Sequence, residues 1–194
     1  MTVTQTMKDR VTIGIYAYNE QANISHVLES VLGKQGLSKT SRVIVVCSGC
    51  TDLTLPIVQR FAANDDRLEV VIEPERFGVG SAINKILEKC ATEFLVLIEA
   101  DTRPYEGTVL QLAIELEENK AGLVGAWPII GNENDGVIPR GLSFIRRVHL
   151  RSLHGLRSFE HQTYSNSEFV CIRKSLLDRV PPEIVNVDTY IDLR

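Results

Sequence analysis

Two carboxylates one residue apart, Glu99 and Asp101, follow the apolar run Phe94–Ile98. At a strand end such a pair can be directed into one pocket, where a hard divalent ion bridges the acids to a diphosphate. Asp101 is the better ligand of the two, although both acids could equally cap the turn that follows. Earlier in the chain, Asn19 and Glu20 follow a first apolar run and Ser48 and Asp52 a second. Asn19, Glu20 and Asp52 could hydrogen-bond a base or ribose, and Asp52 could as readily cap a helix from Leu53. Arg76 precedes Gly78-Val79-Gly80-Ser81, a cationic fork beside a glycine-permissive turn at a helix start, which suits a diphosphate. A dinucleotide fingerprint is not completed, because Ile83 stands where its last glycine or alanine belongs. Within Pro181–Asp192, Asp188 is the first candidate for the carboxylate that takes a proton from an attacking hydroxyl, and Asp192 the second.

These residues need a scaffold that gathers distant loops. Val11–Ala17, Arg42–Cys47, Val70–Glu73 and Phe94–Ile98 are apolar runs rich in β-branched residues, as buried strands require. Between them, Ile24, Val27, Leu28, Val31 and Leu32 recur at helical spacing, and helices are expected over Leu53–Ala63, from Gly78 through Leu87, and over Glu106–Asn119. Four strand-to-helix alternations predict an α/β fold, a three-layer sandwich around a mainly parallel sheet with ligands at the carboxyl ends of the strands. Gly122–Ile130 is expected to add a strand, and the Gly- and Asn-rich loop Gly131–Gly136 to separate a donor-binding half, 1–125, from an acceptor-side half, 126–194. At 194 residues one domain is expected.

The chain is 44% hydrophobic and 24% charged with a formal net charge of −4, which predicts a folded domain with no overall pull toward nucleic acid. Arg140, Arg146, Arg147, Arg151 and Arg157, with His149, His154 and His161, gather in one stretch. That stretch is either a solvated helix face or an anion- or membrane-facing patch. No apolar run reaches the ~20 residues of a membrane span, and the first ten residues lack a signal-peptide layout, so a cytoplasmic chain is expected. Cys47, Cys50, Cys90 and Cys171 are too few for a disulfide framework, and no second pair completes a zinc site around Cys47-x-x-Cys50. Small buried thiols are expected.

Taken in order, Val11–Glu20, Ser48–Asp52, Gly78–Asn84 and Glu99–Asp101 resemble the successive motifs of family two glycosyltransferases across nearly the whole chain. The resemblance implies a GT-A fold, a UDP- or GDP-linked sugar donor, a Mg²⁺ or Mn²⁺ ion, and inversion at the anomeric carbon by single displacement. Position by position, it places Ala17, Asn19 and Glu20 in the first nucleotide-binding loop and Ser48 with Asp52 in the second. Arg76 and Gly80 fall in the loop over base and phosphates, Glu99 and Asp101 in the acidic metal motif, and Asp188 at the catalytic base. Trp127 and Glu168 would border the acceptor. The chain departs from the family pattern at Tyr16, where proline is common, at Cys47 and Ser48, where acids are common, and at Val79, where lysine is frequent. It departs again at Glu99, where aspartate is usual, and at Val187, where the base motif has its first acid.

The acceptor, a carbohydrate or a lipid-linked molecule, is not named by these residues. The ending at Arg194 reads as a truncation, so a membrane-associating segment beyond it, placing the protein at the cytoplasmic face, is compatible with the pattern. Two other readings use the same scaffold. One is a non-catalytic nucleotide-sugar-binding domain. The other is a sugar-nucleotide nucleotidyltransferase, whose glycine-rich loop should follow the first strand where Ala17-Tyr18-Asn19-Glu20 stands.

Overall fold

The computed structural model describes residues 7–38, 41–126, 129, 131, 136–145, 168–181 and 184. The chain divides into two compact units, Met1–Ala126 with Ser165–Arg194, and Trp127–Tyr164.

The first unit is built on a six-stranded sheet: β1 (Val11–Ala17), β2 (Arg42–Ser48), β3 (Leu68–Glu73), β4 (Phe94–Glu99), β5 (Leu123–Gly125) and β6 (Phe169–Arg173). The spatial order is β3-β2-β1-β4-β6-β5. β2 and β4 flank β1 in parallel and β3 is parallel to β2, whereas β6 runs antiparallel to both β4 and β5. The expected mainly parallel α/β architecture is therefore present. β6 is an addition to the sequence reading: residues 169–173, expected beyond the donor-binding half, are hydrogen-bonded into the central sheet. The strand expected over Gly122–Ile130 pairs only through Leu123–Gly125, at the sheet edge.

Four helices link the first strands: α1 (Ile24–Lys34), α2 (Thr54–Ala62), α3 (Val79–Lys89) and α4 (Thr108–Glu118). The period-two alternation of the strands sorts their side chains onto two faces. Ile13, Ile15, Val43, Val45, Val96 and Ile98 face Val27, Leu28 and Val31 of α1, Val58 of α2, and Val109, Ala113 and Leu116 of α4. On the other face Ile44, Val46, Leu95, Leu97, Val170 and Ile172 meet Ala82, Ile83, Ile86 and Leu87 of α3. Burying strands on both faces is what makes them read as continuous apolar runs. At Gly14 a Cβ would come within 2.4 Å of Ile86 Cγ2, so a glycine in mid-strand lets α3 approach β1 closely.

The strand order reverses between β1 and β4, which makes their carboxyl ends the topological switch point where such sheets bind ligands. Gln35, fully buried at the end of α1, donates to the carbonyls of Ser30 and Tyr105 and accepts from the Val109 N–H. Ser30 Oγ adds a 2.5 Å bond to the Pro104 carbonyl. These bonds clip the segment after β4 against α1 and fix where the chain leaves Asp101.

In the second unit, residues 137–145 are helical.

Candidate functional site

Parallel pairing of β1 with β4 sets Tyr16 opposite Glu99. The Tyr16 hydroxyl donates to Glu99 Oε1 at 3.0 Å, and the Glu99 N–H donates to the Glu168 carbonyl at 3.0 Å. Glu99 is thus half-buried between a residue of β1 and the residue that precedes β6. Asp101, two residues on, is exposed; its Oδ1 receives a long 3.4 Å contact from the Thr102 hydroxyl.

The loops after β1 and β2 are held to each other by side chains read from the sequence as site residues. Asn19 adopts a left-handed conformation (φ 54°). Its carboxamide accepts from the Thr51 N–H at 2.8 Å and donates to the Thr51 hydroxyl at 3.1 Å. Asp52 accepts from the N–H groups of Gln21 and Thr54, at 3.1 and 2.9 Å. Of the two roles left open for Asp52, turning the chain into α2 is visible here, together with a tie back to the β1 loop. Burial pulls its carboxyl upward, but the bonds from Thr54 and Gln21 outweigh this and leave it below its ordinary value. Glu20 contributes its carbonyl to the start of α1, and its carboxylate accepts from Asn23 at 2.8 Å.

Between the ends of β1 and β2 and the start of α3 lies an open pocket lined by Tyr16, Ala17, Tyr18, Ser48, Arg76, Gly78, Val79 and Ala82, with about 300 Å³ of empty space. The Arg76 guanidinium stacks 4.0 Å from the centroid of the exposed Tyr18 ring, a cation–π contact that leaves its N–H fork at the mouth. Gly80 lies in the first turn of α3, where unpaired backbone N–H groups and the helix dipole favour an anion. Gly49 adopts φ +60°, and a Cβ there would come 2.5 Å from the Arg76 backbone nitrogen. The glycine therefore allows the β2 loop to pack directly on the segment that carries Arg76.

Ser48 and Glu73 are opposite each other in the β2–β3 ladder, so their side chains share the α3 face. Both are buried, at 5% and 4% exposure. Ser81 Oγ donates to Glu73 Oε1 at 2.6 Å, but Ser48 Oγ and Glu73 Oε2 find no hydrogen-bond partner among the described residues. Leaving a buried polar atom unpaired costs about 1–3 kcal/mol. Such atoms are concentrated where a ligand or water completes them.

The structure thus brings Ala17, Asn19, Glu20, Ser48, Asp52, Arg76, Gly80, Glu99 and Asp101 to one edge of the sheet. Asp188, Asp192 and Trp127 lie outside the described residues, as do Arg146, Arg147, Arg151 and Arg157 with the three histidines among them. Three contributors were not assigned roles from sequence. Tyr16 orients Glu99, and Tyr18 carries Arg76. Asn84 both donates to the Val180 carbonyl and accepts from its N–H, at 2.8 and 2.7 Å, which ties the chain after β6 to α3. All four cysteines are free thiols; burial, with a smaller effect of Cys50, pushes the Cys47 thiol up to about 12.

Fold and site together define an α/β protein with polar side chains clustered at the switch point of its sheet. The sequence profile described as Glycosyl transferase family 2 matches residues 12–180, and the chain belongs to that family. It is similar to the glycosyltransferase AglD of Haloferax volcanii, 33% identical over 98 residues, 47% of this chain and 15% of that protein. Among solved structures it resembles the mannosyltransferase PcManGT from Pyrobaculum calidifontis in complex with GDP-Man and Mn²⁺. The TM-score is 0.73 at 24% identity, over 94% of this chain and 50% of that one. It also resembles S. aureus TarS in complex with UDP-GlcNAc, with a TM-score of 0.54 at 27% identity over 60% of this chain and 33% of that one. The chain therefore spans half or less of the length of these relatives. Their shared architecture is the GT-A fold expected from the motifs.

Proposed function

We propose that this chain is the catalytic region of a metal-assisted, inverting glycosyltransferase that moves a sugar from a nucleoside-diphosphate donor to a hydroxyl acceptor. The observation that carries the reading is the convergence, at one sheet edge, of an open pocket lined by Tyr18, Ser48 and Arg76, a cationic fork at a helix start, and the acids Glu99 and Asp101. The donor's base would enter the pocket between Tyr18 and Val79, over Ser48, with its diphosphate near Arg76 and the first turn of α3.

Among the described residues there is no cluster of three or more metal-binding side chains. Two carboxylates with one exposed acid fit a Mg²⁺ or Mn²⁺ ion that takes its other ligands from diphosphate oxygens and water, rather than a cage made by protein alone. Asp101 and Glu99 would hold it, with Tyr16 keeping Glu99 in place. When bound, the ion neutralises charge on the departing diphosphate.

In the transfer itself the acceptor oxygen forms a bond to the anomeric carbon as the bond from that carbon to the diphosphate oxygen breaks. The nucleoside diphosphate leaves with the electron pair, and the acceptor's proton passes to a carboxylate, assigned to Asp188. Arg76 steadies the leaving group by charge-assisted hydrogen bonds. Residues 1–125 supply the donor site and 126–194 the acceptor side in this reading.

Calorimetric titration of UDP, GDP and their sugar conjugates, with Mn²⁺ and then with EDTA, tests the donor site. Metal-dependent binding that prefers one base is expected. Asp188→Asn should bind the donor nearly as the parent does and lose transfer. Absence of binding by any nucleotide would overturn the reading in favour of another ligand for this edge.

A further inference from the structure

The two buried atoms left unpaired among the described residues, Ser48 Oγ and Glu73 Oε2, belong to one corner of the molecule. Ser48 ends β2 and stands opposite Glu73, which ends β3. Neighbouring strands lie about 4.8 Å apart, and residues paired in register project to the same face. Ser48 lines the open pocket, whose opposite wall is Gly78, Val79 and Ala82 at the start of α3. Ser81, in the same turn of α3, donates its hydroxyl to Glu73 Oε1 at 2.6 Å. The Glu73 carbonyl is fixed as well, by the Gly49 N–H at 2.9 Å. The carboxylate is thus held between the Ser48 wall and the α3 wall, with one oxygen satisfied and the other not.

The polarity of the pair says what would complete it. A carboxylate oxygen only accepts, whereas a hydroxyl has one proton and two lone pairs. The field of the carboxylate turns the Ser48 proton toward Glu73 and leaves its lone pairs toward the pocket. Together the two residues offer a ligand acceptors and no donor. Guanine presents two adjacent donors along one edge, the ring N–H and the 2-amino group. Uracil presents a single N–H between two carbonyl oxygens, and an oxygen set against the carboxylate is repelled. Adenine and cytosine each place one amino group beside a bare ring nitrogen, which is itself an acceptor. A base that leaves a buried acceptor unpaired is penalised by the desolvation of that acceptor, and such sites discriminate strongly.

We propose that Glu73, with Ser48, selects the base of the donor: the pair accepts the N–H edge of guanine and suits the site to GDP-linked rather than UDP-linked sugars. This assignment rests on the sugar-transfer reading above and goes past it by naming the base and the residues that determine it.

The experiment is calorimetric titration of GDP, inosine diphosphate and UDP into the whole chain with Mn²⁺. GDP should bind about tenfold tighter than inosine diphosphate, which lacks only the 2-amino group, and about 100-fold tighter than UDP, the scale of one and of two hydrogen bonds to a charged acceptor. Glu73→Gln keeps an oxygen for Ser81 and replaces the unpaired acceptor with an N–H donor. Its GDP affinity should fall to about that of inosine diphosphate while its UDP affinity holds, with an unchanged circular-dichroism spectrum. Ser48→Ala, which disturbs no bond of the Glu73 carboxylate, should weaken GDP about tenfold and serves where the glutamine variant does not fold. UDP or inosine diphosphate bound by the parent as tightly as GDP, or a GDP preference undiminished in either folded variant, overturns the base assignment and leaves the donor site standing. No binding by any of the three nucleotides removes the donor site and this assignment with it.

Discussion

Where the parallel strands begin, Arg10 and Arg173 share Glu93 and Glu117 between them: each guanidinium bonds to both carboxylates. Both also lie over the Phe94 ring, at 4.8 and 5.1 Å from its centroid. Where the same strands end, Arg76 rests on an aromatic ring, Asp101 is exposed, and Ser48 Oγ and Glu73 Oε2 are buried without partners among the described residues. The amino edge closes its charges on one another, holding β1, β4, β6 and α4 together. Among the described residues, the carboxyl edge leaves polar capacity unfilled. Charge at a sheet edge therefore does not mark a site; incomplete pairing does.

That comparison breaks most sharply at Asp101. Asp101→Ala should lower metal-dependent nucleotide affinity by about 100-fold or more, the scale expected when a carboxylate is removed from a two-carboxylate ion site. The melting temperature should hardly move, because the side chain is exposed. Nucleotide affinity equal to the parent's in Mn²⁺ would assign the metal elsewhere. Next in size is Gly49→Ala. A non-glycine residue at φ +60° costs about 1–3 kcal/mol, and here the Cβ would also meet the Arg76 backbone. The loop carrying Arg76 should shift, and both stability and nucleotide binding should fall together. A variant that keeps full affinity would show that the interlocked loops do not shape the pocket.

The fold was legible where burial on both faces wrote itself into unbroken apolar runs, as in β1, β2 and β4. β6 escaped because Phe169–Arg173 is a run of only five residues, and its partner β4 is some seventy residues earlier in the chain. Such a pairing is decided by the register of the whole sheet. Asp101 and Arg76 could be picked out by type and spacing alone. The Tyr16 bond to Glu99 could not, since it depends on β1 and β4 being adjacent and aligned. Asn84 appeared within a motif, but its two bonds to Val180 join segments nearly a hundred residues apart. Ser48 stands where the family commonly has an acid, and only the structure shows that its hydroxyl is buried at the pocket lining without a partner among the described residues.

At the amino edge, Arg173→Ala should lower stability by about 0.5–1 kcal/mol, the scale of a partly exposed ion-pair network. For a chain of this size that is a fall of about 1–4 °C in melting temperature. Nucleotide affinity should be unchanged, and a parallel loss of binding would dissolve the distinction between the edges.

The smallest effect isolates one carboxylate by pH. Hydrogen bonds from Arg10 and then Arg173 hold the Glu117 carboxyl below its ordinary value of 4.5. A depressed folded value means that its contribution is complete above the unfolded value and is lost as pH falls through the folded one. Glu117→Gln should therefore melt slightly below the parent at pH 6, and the gap should close as pH drops below 4.5. Asp52 and Asp65, also held low, add an acid slope common to both proteins, so the difference between the two melting curves reports Glu117 alone. A gap that stays constant down to pH 2.5, about two units below the ordinary carboxylate value, would mean that the amide costs packing rather than charge. The closed network at this edge would then owe its stability to shape.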